Sequence, residues 1–374
     1  MKIVLAPDKY KGSLTGLEFC NIIAPLLKSA LNAEVIILPL ADGGDGTIDV
    51  INYYLKGSVI QTEVNNPVYK PVIASYLYSE PNKMAFIEMA EASGMKLLQA
   101  SEQNCMNTST YGTGELILNA INKGAQHIIL GLGGSATNDC GVGMASALGY
   151  RFLDETNTEV KPIGKNLSRI TKIDATNVDP RLAQVKFQIA CDVTNPLYGP
   201  EGAAYIYAKQ KGASDSAIAY LNQGLQSFSK ILDEHFNCTT QDIQGAGAAG
   251  GMGAGTVTFL NGTLLPGIDL IQQIADFDTK IQQADWIITG EGQLDLQTLS
   301  GKTLSGVLNS AQKYQIKVAA FCGSINLSAS ELNGMGIAYS DSIISKSKNF
   351  EDALEHTEDY LKQITNKFIA YLQP

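Results

Sequence analysis

At both ends of the chain, short apolar runs close on glycine-rich polar loops and give way to helical patterns. "KIVLAP" leads through "DKYKGSLTG" into "GLEFCNIIAPLLKSAL", and "AEVIILPL" leads through "ADGGDGT" into a helix over "IDVINYYL". Near the C-terminus "DWIITG", "KVAAFCGS" and "AYSDSIIS" alternate with helices in the same way. Apolar runs this short read as buried strands. Their alternation with helices implies a parallel sheet covered on both faces. Ser13 or Thr15 is placed to cap the first helix, and Pro25 predicts a kink or break within it.

From about Gly57 to Glu88 the texture changes. "SVIQTEV", "VIASYLYS" and "AFIEMA" alternate without intervening helices, which suits antiparallel or mixed pairing. "TYGTGELILNAINKG" reads as a capped helix, "YRFLDETNTEVK" as a hairpin region, and "VKFQIACDV" as a buried strand ending at Asp192. "AIAYLNQGLQSFSKILDEHF" is a long amphipathic helix. The chain has 374 residues, enough for two domains. The expected architecture is an α/β domain with a parallel sheet built from residues 1–65 and 280–374, with a mixed α/β domain, residues 66–279, inserted between them.

Apolar residues make up 45% and charged residues 17%, with a net charge of −10. The acidic balance argues against a nucleic-acid or anionic-membrane partner, so any anionic substrate must be met by local donors. The six cysteines form no CxxC pair and read as buried free thiols. The three histidines show no metal-ligand spacing. No run of 18 apolar residues exists, and "MKIVLAPD" enters a strand at once rather than a signal peptide. A soluble, reducing, cytoplasmic setting is expected.

The stretch "HIILGLGGSATNDCGVGMASALGY" reads as strand, tight turn and helix start. Gly131, Gly133 and Gly134 let the backbone approach a ligand, and Ser135, Thr137, Asn138 and Asp139 follow at the helix start. Together they suit a phosphate or a carboxylate. A second reading takes "GLGGSA" as G-x-G-x-x-A, with Asp154, 23 residues after Gly131, on a ribose. That would make a dinucleotide oxidoreductase, but leaves Asn138 and Asp139 unexplained. "TLSGKT" is not a P-loop, because Leu296 stands five residues before Gly301. "GAGAAGGMGAG" allows either close helix packing or a backbone-lined channel.

Four loops, "APDKYKGS", "ADGGDGT", "TGEGQLDLQT" and "FCGS", follow predicted parallel strands, at the edge where open α/β sheets bind ligands. They carry Asp8, Gly43, Gly44, Gly290, Glu291 and Gly292. The carboxylates Asp42, Asp192, Glu291 and Asp295 lie in or beside glycine-rich turns, where they can hold Mg²⁺ or accept a hydroxyl proton. With phosphate cradles and a few lysines, this set points to phosphoryl transfer. No Ser-His-Asp constellation can be drawn.

These residues resemble a known family. "APDKYKGSLT", "LPLADGGDGT", "TYGTGELI", "GLGGSATNDCGVGMASALG", "CDVTNPLYG", "KQKGAS", "GAGAAGGMGAG" and "TGEGQLDLQTLSGKTLSGV" are similar, in order and over nearly the whole chain, to the motifs of bacterial glycerate kinases of the type I family. The resemblance implies two α/β domains, one flavodoxin-like, with the active cleft between them. It implies transfer of a phosphoryl group from ATP to D-glycerate with Mg²⁺, the 2-phosphoglycerate product being favoured over the 3-product. The homologous loops commonly read Asp-Ser-Phe-Lys-Gly where this chain has Asp8 to Gly12, Glu where it has Asp45, and Arg where it has Gln293. On this reading Gly133, Gly134 and Ser135 cradle an anion with Asn138 nearby, a nucleotide phosphate being preferred. Lys11 and Lys302 are candidates for the glycerate carboxylate. Asp295 and Asp42 rank as base or orienting groups, and Asp192 with Glu291 as metal partners. A homodimer or a monomer is expected.

Overall fold

The computed structural model describes residues 1–41, 46–295 and 303–373. Asp42, Gly43, Gly44 and Lys302 lie outside them. The opening alternation folds as β1 (Lys2–Leu5), a helix over Gly16–Leu31 and β2 (Glu34–Ile37). The stretch without intervening helices gives β3 (Ser58–Asn65), β4 (Pro71–Ser79) and β5 (Met84–Glu88). Then come β6 (His127–Gly131), β7 (Arg151–Leu153), β8 (Lys172–Asp174), β9 (Lys186–Ala190) and β10 (Thr263–Leu265). The closing alternation adds β11 (Trp286–Thr289), β12 (Gln293–Leu294), β13 (Lys317–Cys322), β14 (Ser324–Ile325) and β15 (Ile337–Ser342).

The chain separates into two units, Met1–Tyr54 with Pro266–Pro374, and Leu55–Leu265. The sequence reading drew the divisions at 65/66 and 279/280. β3 goes with the second unit because it pairs antiparallel with β4 along its whole length. The helix Gly267–Ala275 goes with the first, where Ile268 lies against Gly306.

The first unit carries a five-stranded sheet in the order β15-β13-β11-β1-β2, every pair parallel. Counted within this sheet alone, β12 and β14 forming a separate parallel pair, the order is 2-1-3-4-5, a doubly wound order that switches direction between β1 and β11. Ile3, Val4, Leu5, Ile287, Ile288, Ala319 and Phe321 are sealed from solvent, which is why these strands read as unbroken apolar runs. Thr15 caps the helix Gly16–Leu31: its hydroxyl accepts from Glu18 N while the Glu18 carboxylate accepts from Thr15 N. The helix continues through Pro25 to Leu31. Losing one N–H bond does not end it, because Phe19, Cys20, Ile23 and Leu27 bury its inner face.

The second unit carries a six-stranded mixed sheet, β10-β9-β6-β5-β4-β3. β5, β6, β9 and β10 run parallel, and β3, β4 and β5 form an antiparallel meander. β7 and β8 form a separate antiparallel pair. "GAGAAGGMGAG" belongs to a helical span, Ala248–Leu260, interrupted by left-handed Ala249, Gly250 and Gly251. A Cβ on Gly250 would stand 2.1 Å from the Thr137 carbonyl oxygen. Close packing therefore accounts for the small residues. No helix among the described residues is long and apolar enough to cross a membrane. All six cysteines are free thiols, four of them buried.

Candidate active site

In the first unit, the loop after β1 and the loop after β11 are stitched together at the C-terminal edge of the sheet. Asp8 N donates to Gly290 O at 2.8 Å, and Thr289 Oγ1 donates to Ala6 O at 2.8 Å. Tyr10 is buried, donates its hydroxyl to Phe321 O and stacks on Phe19. With Tyr10 turned inward, Lys9 on one side of it is half-buried and Lys11 on the other is exposed. Asp8 is buried; its carboxylate accepts from Thr303 Oγ1 and from Lys9 N. Gly323 N and Ser324 N donate to the carbonyls of Glu291 and Gly292, fixing the third loop of this edge.

These loops line a pocket of about 360 Å³ that contains Asp8, Lys9, Lys11, Glu291 and Gly292. Gly290 lines a smaller recess beside it, which shares Asp8 and Glu291. Asp295 accepts from Gln293 Nε2 at 2.9 Å and is not part of the lining.

In the second unit, β6 ends at Gly131 and the turn that follows is open. Gly133 and Gly134 are exposed, and Gly134 has φ +70, in the left-handed region that favours glycine. Met95 N donates to Gly134 O at 3.0 Å and Ala136 N to Ser93 O at 2.8 Å, so the turn is held from one side. Among the described residues no acceptor takes the N–H groups of Gly133, Gly134 or Ser135. Behind the turn stands Lys211, 3% exposed. Its Nζ donates to Ser135 Oγ at 2.7 Å and to Thr137 O at 2.8 Å. Burial pushes its pKa down to about 8, against the opposing pull of Cys105 and Asp139. An ammonium only donates, so Ser135 must point its own O–H proton elsewhere.

The four polar residues of this stretch thus divide, Thr137 being sealed from solvent with Asn138 and Asp139. Ser135 borders the open turn. Asp139 is wholly buried; it accepts from Thr110 N, Thr110 Oγ1, Gly141 N and Gly143 N, which fixes the start of the helix Val142–Ala147. Burial pushes its carboxyl above the usual range despite these bonds. Asn138 is also sealed, and among the described residues neither its amide oxygen nor its nitrogen has a hydrogen-bond partner. Asp192 is exposed in the loop after β9, on the same parallel edge as the open turn.

The dinucleotide reading fails on topology. β7 does not join the sheet of β6 but pairs with β8, so β6 and β7 do not form the βαβ unit that reading needs. Asp154 is spent on Thr156, Thr158 and Arg169.

Among the described residues no group of three or more His, Cys, Asp or Glu is placed to hold a metal ion. Mg²⁺ asks for less: one or two carboxylates, with water and phosphate oxygens completing the shell. Asp8 and Glu291, hard oxygen donors lining one pocket, fit that demand.

The glycerate kinase family model matches residues 3–373. A glycerate kinase of Bacillus cereus is 42% identical, covering 99% of this chain and 97% of that protein. One of Bacillus subtilis is 40% identical, covering 100% and 98%. The glycerate 2-kinase of Escherichia coli is 37% identical over 100% and 98%. A crystal structure named as a glycerate kinase 2, from Salmonella typhimurium LT2, superposes with a TM-score of 0.88 at 37% identity, covering 100% of this chain and 98% of that one.

The chain belongs to the glycerate kinase family. Membership accounts for the ordered motif set and makes this protein a kinase.

One residue of interest was not singled out from the sequence. Lys211 sits inside the motif "KQKGAS", but nothing local distinguishes it from a solvated lysine. Its partner Ser135 is 76 residues away.

Proposed function

We propose that this protein transfers the γ-phosphoryl group of ATP to a hydroxyl of D-glycerate, giving phosphoglycerate. The observation that carries this is the match to glycerate kinases along the entire chain, at 37–42% identity to curated relatives from three organisms. The name of the Escherichia coli relative, glycerate 2-kinase, supports 2-phosphoglycerate as the product. Support for phosphoryl transfer also comes from the first unit, whose 2-1-3-4-5 sheet we read as flavodoxin-like. Its pocket combines lysines with carboxylates, the mixture that triphosphate chemistry needs.

Of the metal pair expected from the sequence, Asp192 with Glu291, Glu291 lines this pocket and Asp192 does not; we assign Mg²⁺ to Glu291 with Asp8, and when bound it neutralises triphosphate charge. A carboxylate must accept the glycerate hydroxyl proton as the new bond to phosphorus forms. Asp42, Asp192 and Asp295 are the candidates, and exchange of each for Asn removes proton acceptance while keeping shape. The base should lose roughly 10²–10⁴-fold in kcat. The Gly133–Ser135 turn takes an anionic group, its free N–H donors and the Ser135 hydroxyl serving phosphate and carboxylate alike. Ser135→Ala separates the two sources: a raised KM for ATP assigns phosphate, a raised KM for glycerate assigns carboxylate.

The reading is tested by coupled ADP release with D-glycerate, L-glycerate and glycolate, and ³¹P NMR of the product. Turnover should be largest with D-glycerate and require Mg²⁺. No ADP release with any of the three acids, or undiminished turnover in EDTA, would overturn it.

A further inference from the structure

The pocket of the first unit has an apolar side that neither glycerate nor a phosphate needs. Besides its polar residues it is lined by Ile343, Ile344, Phe350 and Leu354. Ile343 and Ile344 follow β15; Phe350 and Leu354 stand on the helix Phe350–Glu355, whose start Asn349 caps through Asp352 N. Phe350 is 69% exposed and Leu354 39% exposed. A single exposed apolar residue means little; here two on one helix border the same pocket, beside Ile343 and Ile344.

We propose that this pocket binds the adenosine half of the nucleotide, the base lying on the Phe350 and Leu354 surface and the phosphates leading toward Lys9 and Lys11. The assignment rests on the kinase reading above and deepens it. Three observations favour adenosine as the occupant.

The first is size. About 360 Å³ lies in the range of organic-ligand sites, roughly 300–1,000 Å³, and a three-carbon acid would leave most of it as water. The second is composition. A nucleotide is an aromatic plate joined to an anion, and this lining offers exposed apolar side chains and two lysines in one cavity. Asp8 and Glu291 also line it and would repel a bare anion, but not one carrying a divalent cation. The third is preorganisation. Ser13 Oγ donates to Thr357 Oγ1 at 2.6 Å, tying the loop that carries Lys9 and Lys11 to the chain just beyond the Phe350 helix. The bond links the apolar and cationic linings, at the sheet edge where doubly wound folds bind ligands.

The test is Phe350→Ala and, independently, Leu354→Gln. Phe350 is largely exposed and Leu354 partly so, and thermal melting, expected to stay close to the parent's, checks the fold of each variant. KM for ATP should rise by about tenfold in Phe350→Ala, the scale of losing one base–aromatic stack, and KM for D-glycerate should stay. Calorimetric titration with ADP alone should show the same loss of affinity. Because that titration needs no glycerate turnover, it judges the pocket even if the substrate assignment is wrong. Unchanged ADP affinity in both variants, or a raised KM for glycerate with ATP unaffected, would overturn the proposal.

Discussion

Lys211 is an uncommon object, an ammonium 3% exposed whose Nζ makes two hydrogen bonds and, among the described residues, no ion pair with a carboxylate. A charge held in that way costs stability. Its folded pKa of about 8 lies below the unfolded value near 10.4, so between those limits the unfolded chain binds more protons. Stability therefore rises with pH through that window, and the protonated form costs about 3 kcal/mol below it. Lys211→Met removes the cost, though it leaves Ser135 Oγ and Thr137 O without their donor. The variant should melt no lower than the parent at pH 7, and the parent should gain on it as pH is raised from 7 to 9.5. A melting difference independent of pH would show that Lys211 is not buried as a charge. Turnover should fall by about tenfold or more, the scale of one charged hydrogen bond. The glycine turn before Ser135 was legible, because strand, glycines and helix start are local signals. Which of its four polar residues border the opening was not. Asp139 and Asn138 face inward because of Thr110 and of the chain near Gly164 and Gly250, and none of these contacts is local.

At the scale of elements, alternation carried most of the information. Buried parallel strands and a polar-faced meander differ in texture, and both were read. The glycine-rich segment 245–255 was ambiguous for a physical reason: small residues permit close approach without saying what approaches. The structure supplies the neighbour, the backbone of Thr137 and Asn138. Gly250→Ala tests that account. The new Cβ would meet the Thr137 carbonyl at 2.1 Å, at a residue with φ +74. Left-handed backbone alone costs roughly 1–2 kcal/mol for an L-residue, and displacing a carbonyl adds to it. A loss above about 2 kcal/mol in denaturant unfolding, at unchanged m-value, is expected. The same carbonyl is an acceptor for Lys211, so kinetic loss should accompany the loss of stability. A stable, fully active Gly250→Ala protein would show that the helical span does not buttress the turn.

For the whole molecule, connectivity sets what can fold alone. Leu55–Leu265 is one continuous stretch with a six-stranded sheet and its own core, which includes Tyr76, Leu116, Ile128, Leu130 and Phe228. The other unit is discontinuous, and β1, from its N-terminal piece, lies between β2 and β11. The alternation at both ends of the sequence made that discontinuity legible. The exact divisions were not, because strand membership depends on pairing partners and the pattern of β3 looks the same in either sheet. A fragment of residues 55–265 should therefore unfold cooperatively, with near-ultraviolet circular dichroism and a denaturant midpoint of its own. Residues 266–374 alone should not fold, because without β1 the backbone groups along one side of β11 lose their parallel partner and the apolar faces of Ile287 and Ile288 lose their neighbours. Supplying residues 1–54 in trans should restore a folded complex, seen as recovery of Trp286 fluorescence. Trp286 is the only tryptophan of the chain; it lies in β11 and is 5% exposed. The 55–265 fragment keeps the Gly133–Ser135 turn but lacks Asp8, Lys11 and Glu291, so it should give no ADP release. Cooperative folding by 266–374 alone, or no cooperative transition in 55–265, would mean that the two cores are not the independent folding units that the strand pairing implies.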